Sequence, residues 1–79
     1  MEHSLKLDTA FFQAVLEGVK TFELRKNDRG FAVGDDMVLH EWKQGTYTGR
    51  STPVRITYLL QDYQGLEEGF AILGIKRST

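Results

Sequence analysis

The chain has 79 residues and a formal net charge of −1, which sets the expectation of a single small domain over residues 1–79, able to bury only about 60–65% of its unfolded surface. It has no cysteine, so disulfides, thiolate zinc sites and a cysteine nucleophile are excluded, and a reducing cytoplasm is the expected location. The longest nearly apolar run, Phe70 to Ile75, is six residues against the ~20 of a membrane helix, and Glu2, His3 and Lys6 interrupt any signal-peptide apolar region.

His3 to Leu7 alternates, with Leu5 and Leu7 on one face, and reads as a first strand. Asp8 stands as a helix N-cap, its carboxylate able to accept from free amides of the first turn, and Leu7 and Phe12 occupy the two positions of a hydrophobic staple. Phe11, Phe12, Val15, Leu16 and Val19 recur at helical spacing, and Gly18 sits where a glycine with positive φ ends a helix, so a helix over 8–17 is predicted.

Alternation resumes over 21–26, with Phe22 and Leu24 on one face and Thr21, Glu23 and Arg25 on the other. Phe22 and Leu24 are assigned to the core. Asn27 to Gly30 are turn formers, followed by Phe31 and Val33 as apolar anchors. A third strand is predicted over 36–43, a hairpin loop over Gln44 to Gly49, and a fourth strand over 54–61 opened by Pro53, whose missing N–H is tolerable there. Asp62 to Gly69 turns the chain into a fifth strand over 70–76.

Five strands and one early helix, without further strand–helix–strand alternation, argue for an α+β fold: a small mixed or antiparallel barrel with the N-terminal helix packed on it. The predicted core holds Leu5, Phe12, Val15, Leu16, Phe22, Leu24, Val38, Ile56, Tyr58 and Ile72. Around 37–39 and 71–73 residues of both parities are apolar, as expected of a sheet curled around its own core.

Charge is concentrated in Gly18 to Phe31, which carries a net +2 while the remainder of the chain stands at −3. Glu23 and Arg25 fall about 7 Å apart on one strand face. They form either a solvated ion pair or, with Lys20, a site in which an arginine fork binds phosphate or a base edge, a lysine supplies charge or a proton, and a carboxylate orients both. The candidate binding set is Lys6, Lys20, Glu23, Arg25, Lys26, Asn27 and Arg29, with Lys20 and Glu23 as the candidate catalytic pair. Trp42, Tyr47, Tyr58 and Tyr63 offer either stacking surfaces for bases or ordinary packing. His3 and His40 have no carboxylate at a metal-ligand spacing, and His40, next to Glu41 on a strand, reads as surface polar decoration, so no metal or cofactor is expected. No phosphate-binding glycine loop or Ser-His-Asp arrangement is present.

The order Gly18-x-Lys20-x-x-Glu23-x-Arg25 resembles the signature of the ASCH branch of the PUA-like superfamily, placed as in that family between the first helix and second strand. The opening His3 to Lys6, the run Lys20 to Arg29, Val33-Gly34-Asp35 and Tyr47-Thr48-Gly49-Arg50 resemble a family of short ASCH-like domains of unknown function, and the likeness covers essentially the whole chain. The resemblance implies a compact PUA-like β-barrel whose cleft handles RNA, a nucleotide or a modified nucleoside. Some ASCH relatives are ribonucleases, and one removes an acyl group from cytidine. That hydrolase is matched at Lys20, uses a threonine where Glu23 stands, and carries a further glutamate for which only Glu67 and Glu68 offer counterparts. The first expectation is an RNA- or nucleotide-binding module using the cleft at the junction of helix and second strand. The alternatives are a small metal-independent hydrolase of RNA or an acylated nucleoside, and a protein-interaction domain displaying Phe31 and Leu66.

Overall fold

A computed structural model of the chain describes residues 2–78. The elements are β1 (Glu2–Asp8), α1 (Thr9–Leu16), β2 (Phe22–Lys26), β3 (Asp36–Lys43), β4 (Thr46–Gln61) and β5 (Phe70–Arg77). The strands form one sheet in the order β1-β3-β4-β5-β2, parallel between β1 and β3 and antiparallel elsewhere. This is the expected mixed α+β arrangement, a five-stranded half-barrel with one helix on it.

The helix begins and ends where its caps dictate. Asp8 Oδ1 accepts from the Ala10 amide at 3.1 Å. At the other end Gly18, at φ +79°, lets its own amide reach the Val15 carbonyl while the Val19 and Lys20 amides reach that of Ala14. The last of these bonds fixes Lys20 to the helix end. Leu7 and Phe12, the predicted staple, are both buried, and Phe12 and Val15 are the helix residues driven deepest into the core.

Curvature comes from β4, whose length lets it pair first with β3 and then with β5. Between the His40–Ser51 and Trp42–Tyr47 rungs, Glu41 alone opposes residues 48–50. Between the Ile56–Ile75 and Tyr58–Gly74 rungs, Thr57 is an extra residue in β4. Such bulges bend a strand and raise its twist. The second also reverses the parity of β4, so Ile56 is buried, Tyr58 is 65% exposed and Leu59 turns inward.

Several expectations are corrected. β4 begins at Thr46, not at Pro53, because the hairpin loop is only Gln44-Gly45, with φ +50° and +85°, the pattern of a tight two-residue turn. Pro53 lies inside β4, opposite Val38 of β3 and one residue beyond the last β5 rung, Val54–Arg77, and its carbonyl accepts from the Ser78 amide. Phe22 and Leu24 are exposed, and Glu23 between them is buried. Val38 and Ile72 are only partly covered, and the core is built instead by Met37, Leu39, Ala71, Leu73 and Ile75. Leu16 packs against that core without entering it. Phe31 is buried against the ring of His3, centroids 4.7 Å apart, and so is not a displayed surface residue.

Candidate functional site

The strands β1 and β2 are the two edges of the sheet, and they face each other across a seam. Side chains bridge it. Arg25 Nη2 donates to the Lys6 carbonyl at 2.6 Å and Arg29 Nη1 to the Ser4 carbonyl at 2.7 Å, so two guanidiniums satisfy acceptors on the free edge of β1.

Glu23 lies on the inner face of this seam, 4% exposed. A carboxylate is buried only where it is paired and hydrogen-bonded. Lys20 Nζ donates to Glu23 Oε1, and Arg25 Nε donates to Glu23 Oε2 at 2.8 Å. Lys20 Nζ also donates to the Phe22 carbonyl at 2.6 Å. The three residues singled out in the sequence are therefore one hydrogen-bonded unit.

That unit lines an open cavity of about 500 Å³ between α1, β1 and β2. Its other walls include Phe11, Phe22, Leu24 and Lys6, and the two rings and Leu24 are each about half exposed. Lys20 Nζ stands 4.9 Å from the Phe22 ring centroid and 5.7 Å from that of Phe11, while Lys6 Nζ stands 4.3 Å over the Trp42 ring. The arrangement offers flat apolar faces beside paired charges, as a planar heterocycle with polar edges requires.

Lys6, Lys20, Glu23 and Arg25 are thus brought together. Lys26, Asn27 and Arg29 are not among the residues lining the cavity. Asn27 orders the following turn, donating to Gln61 Oε1 at 2.9 Å and accepting from the Phe31 amide at 2.9 Å. Sequence reasoning placed Phe22 and Leu24 in the core and did not single out Phe11 as a wall. The available signal was Glu23, whose cations at positions −3 and +2 could allow its burial.

A second polar cluster, around Glu41, was not singled out in the sequence. Glu41 is 4% exposed and accepts a bidentate pair from Arg50, both bonds 2.9 Å, with the hydroxyls of Thr9 and Thr48 each donating at 2.5 Å. The Arg50 guanidinium, followed by the two hydroxyls, holds the Glu41 carboxyl down at about 2 despite burial, and Glu41 in turn raises Arg50. The bulge at 48–50 brings Thr48 and Arg50 onto it. On the far side His3 Nε2 lies 2.9 Å from Asp35 Oδ2, and that contact is the main reason the Asp35 carboxyl sits below its ordinary value.

Residues 2–75 match the family model of a domain of unknown function, DUF3850. The chain belongs to this family. It is also 51% identical over 55 residues, 70% of its own length, to the "Uncharacterized 12.9 kDa protein in GpA 3'region" of Escherichia phage P2. The matched segment spans about half of that relative, 50% of its length. The matched family model takes in β1 through most of β5, and so every residue lining the cavity.

Proposed function

We propose that this DUF3850 domain binds RNA or a nucleotide, holding an unpaired base or nucleoside in the cavity at the α1–β2 junction. The observation that carries the reading is the exposure of Phe11, Phe22 and Leu24 around the Lys20–Glu23–Arg25 unit, since half-exposed rings beside a buried carboxylate and its two partly exposed cations offer stacking together with edge recognition. The resemblance to the ASCH branch, and with it a PUA-like assignment of the half-barrel, supports the same ligand class. Amide shifts measured by NMR against nucleosides, mononucleotides and short RNAs test it. The amides of 20–25 and of Phe11 are expected to move. Phe22→Ala is expected to weaken binding by about 1–3 kcal/mol, the typical worth of stacking one base. Shifts confined to other regions would overturn the assignment.

The contact between Lys20 and Glu23 at the cavity wall favours one further reading, turnover of the bound ligand. A lysine and a carboxylate sharing a proton-transfer distance can serve as acid and base on an acyl or phosphoryl group, with Arg25 stabilising developing negative charge. Incubation with acylated cytidines and single-stranded RNA in excess chelator, beside Lys20→Ala, decides it. Product from the parent and none from the variant establishes turnover, and no product at high protein concentration leaves binding alone.

A further inference from the structure

Three depressions adjoin along one side of the molecule. The ring-walled cavity shares Lys20 with a second depression of about 290 Å³, which has the buried Val15, Val54 and Ile75 at its base. The second shares Lys76 and Arg77 with a third, also about 290 Å³, whose remaining lining is Arg55, Thr57 and Ser78. Because the sheet order places β5 between β4 and β2, this path crosses three adjacent strands from the cavity to the β4–β5 face.

The charge along the path is opposite to that of the chain. Six of the ten lysines and arginines line it, against two of the eleven carboxylates, in a protein of net charge −1. Both carboxylates are engaged: Glu23 is held by Lys20 and Arg25, and Asp8 caps α1. Arg55 and Lys76 are direct cross-strand partners, a like-charged pair that costs stability by itself. Arg55 has Asp36 at 3.1 Å, but both side chains are at least half exposed. Arg77 is held in place, donating to Thr52 Oγ1 at 3.3 Å and to the Leu16 carbonyl at 3.1 Å. A depression lined only by two arginines, a lysine and two hydroxyl residues suits a tetrahedral oxyanion, which guanidinium forks and hydroxyls bind together.

Resting on the reading of the cavity as a base site, we propose that this path carries the sugar–phosphate backbone of a single-stranded RNA. One unpaired base occupies the ring-walled cavity, the chain passes Lys20, and a neighbouring phosphate lies among Arg55, Lys76 and Arg77. A mononucleotide fills the first depression and leaves the third uncompensated, so the continuous path selects an oligomer. A duplex has no free base to offer Phe11 and Phe22, so it selects a single strand.

The test titrates the full chain with a fluorescent hexauridylate RNA, with uridine 5′-monophosphate and with a twelve-base-pair RNA duplex, for the parent and for Arg55→Glu/Lys76→Glu. Both substituted residues are exposed, and thermal melting of the variant beside a milder Arg55→Gln/Lys76→Gln pair keeps a folding defect distinguishable. The parent is expected to bind the hexamer at least tenfold more tightly than the monophosphate. Its log–log salt slope is expected to fall by about 0.7 in either double variant, the share of the one phosphate held there. The monophosphate affinity should not change. Equal binding of hexamer and monophosphate by the parent, equal binding of the duplex, or unaltered hexamer binding by the folded variants would overturn the path. Hexamer binding that depends on Arg55 and Lys76 while the monophosphate shows none would keep the path and retire the base site instead.

Discussion

Arg25 serves two roles that the sequence could not separate. On a strand face it reads either as half of a solvated ion pair with Glu23 or as a fork for phosphate, and in both cases its removal is expected to leave stability nearly unchanged. In the fold its Nε completes the partners of buried Glu23 and its Nη2 closes the β1–β2 seam. Arg25→Ala is therefore expected to weaken ligand binding and also to lower the unfolding free energy by about 1–3 kcal/mol, as hydrogen bonds to charged groups do. Urea denaturation beside the binding titration checks both, and an unchanged urea midpoint would mean that the seam is held by other means. Glu41 yields a prediction in pH. Its carboxyl is held near 2 in the folded protein against an ordinary 4.5, so its contribution to stability is complete above about 4.5 and is lost as pH falls toward about 2. The urea midpoint should fall over that window in the parent. Glu41→Gln should be less stable at neutral pH and should show a flatter acid limb, with the remaining slope in the same direction supplied by Asp35. Glu23 was partly legible, because its cations lie within three residues. Glu41 was not, because Arg50, Thr48 and Thr9 stand 9, 7 and 32 positions away and meet it only through a bulge and a helix start.

The same contrast governs the elements. Apart from the start of β4, helix and strand boundaries were legible because local chemistry sets them: Asp8 caps, Gly18 terminates, and turn residues punctuate the rest. Facing was not legible in β2, β3 and β5. Phe22 and Leu24 alternate as core residues do, yet their strand turns its carboxylate inward. Met37-Val38-Leu39 and Ala71-Ile72-Leu73 are apolar at every position, so periodicity cannot choose a face. In β4 a single extra residue, Thr57, flips the pattern midway. The β3–β4 hairpin shows where local preference was overridden. Its two-residue loop demands positive φ at both positions, which Gly45 adopts freely and Gln44 adopts against its Cβ. Gln44→Asn is expected to raise stability by about 1 kcal/mol or less, since asparagine tolerates the left-handed region that glutamine resists. Thermal melts of the two proteins decide it. A lower melting temperature for the asparagine variant would show that the Gln44 side chain contributes something the turn geometry does not explain.

At the scale of the molecule, stability should rest on one helix residue more than on any other. A chain of this length holds about 4–12 kcal/mol of total stability at the usual 0.05–0.15 kcal/mol per residue. The helical stripe alone does not rank Phe11, Phe12 and Leu16. The half-barrel does: Phe11 walls the cavity, Leu16 packs at the margin, and Phe12 is wholly enclosed with the Arg50 guanidinium 5.3 Å from its ring. Phe12→Ala is expected to cost about 3–5 kcal/mol, a large share of the total. Leu16→Ala, which gives up less burial, should cost about 1–2 kcal/mol. The two also differ in kind. Truncating Phe12 removes the surface on which Arg50 rests, so the acid limb produced by Glu41 should soften in Phe12→Ala and remain in Leu16→Ala. Urea midpoints for both variants at neutral pH and near pH 3 provide the measurement. Equal losses at neutral pH, or an acid limb unchanged in Phe12→Ala, would mean that the helix presents a different face to the sheet.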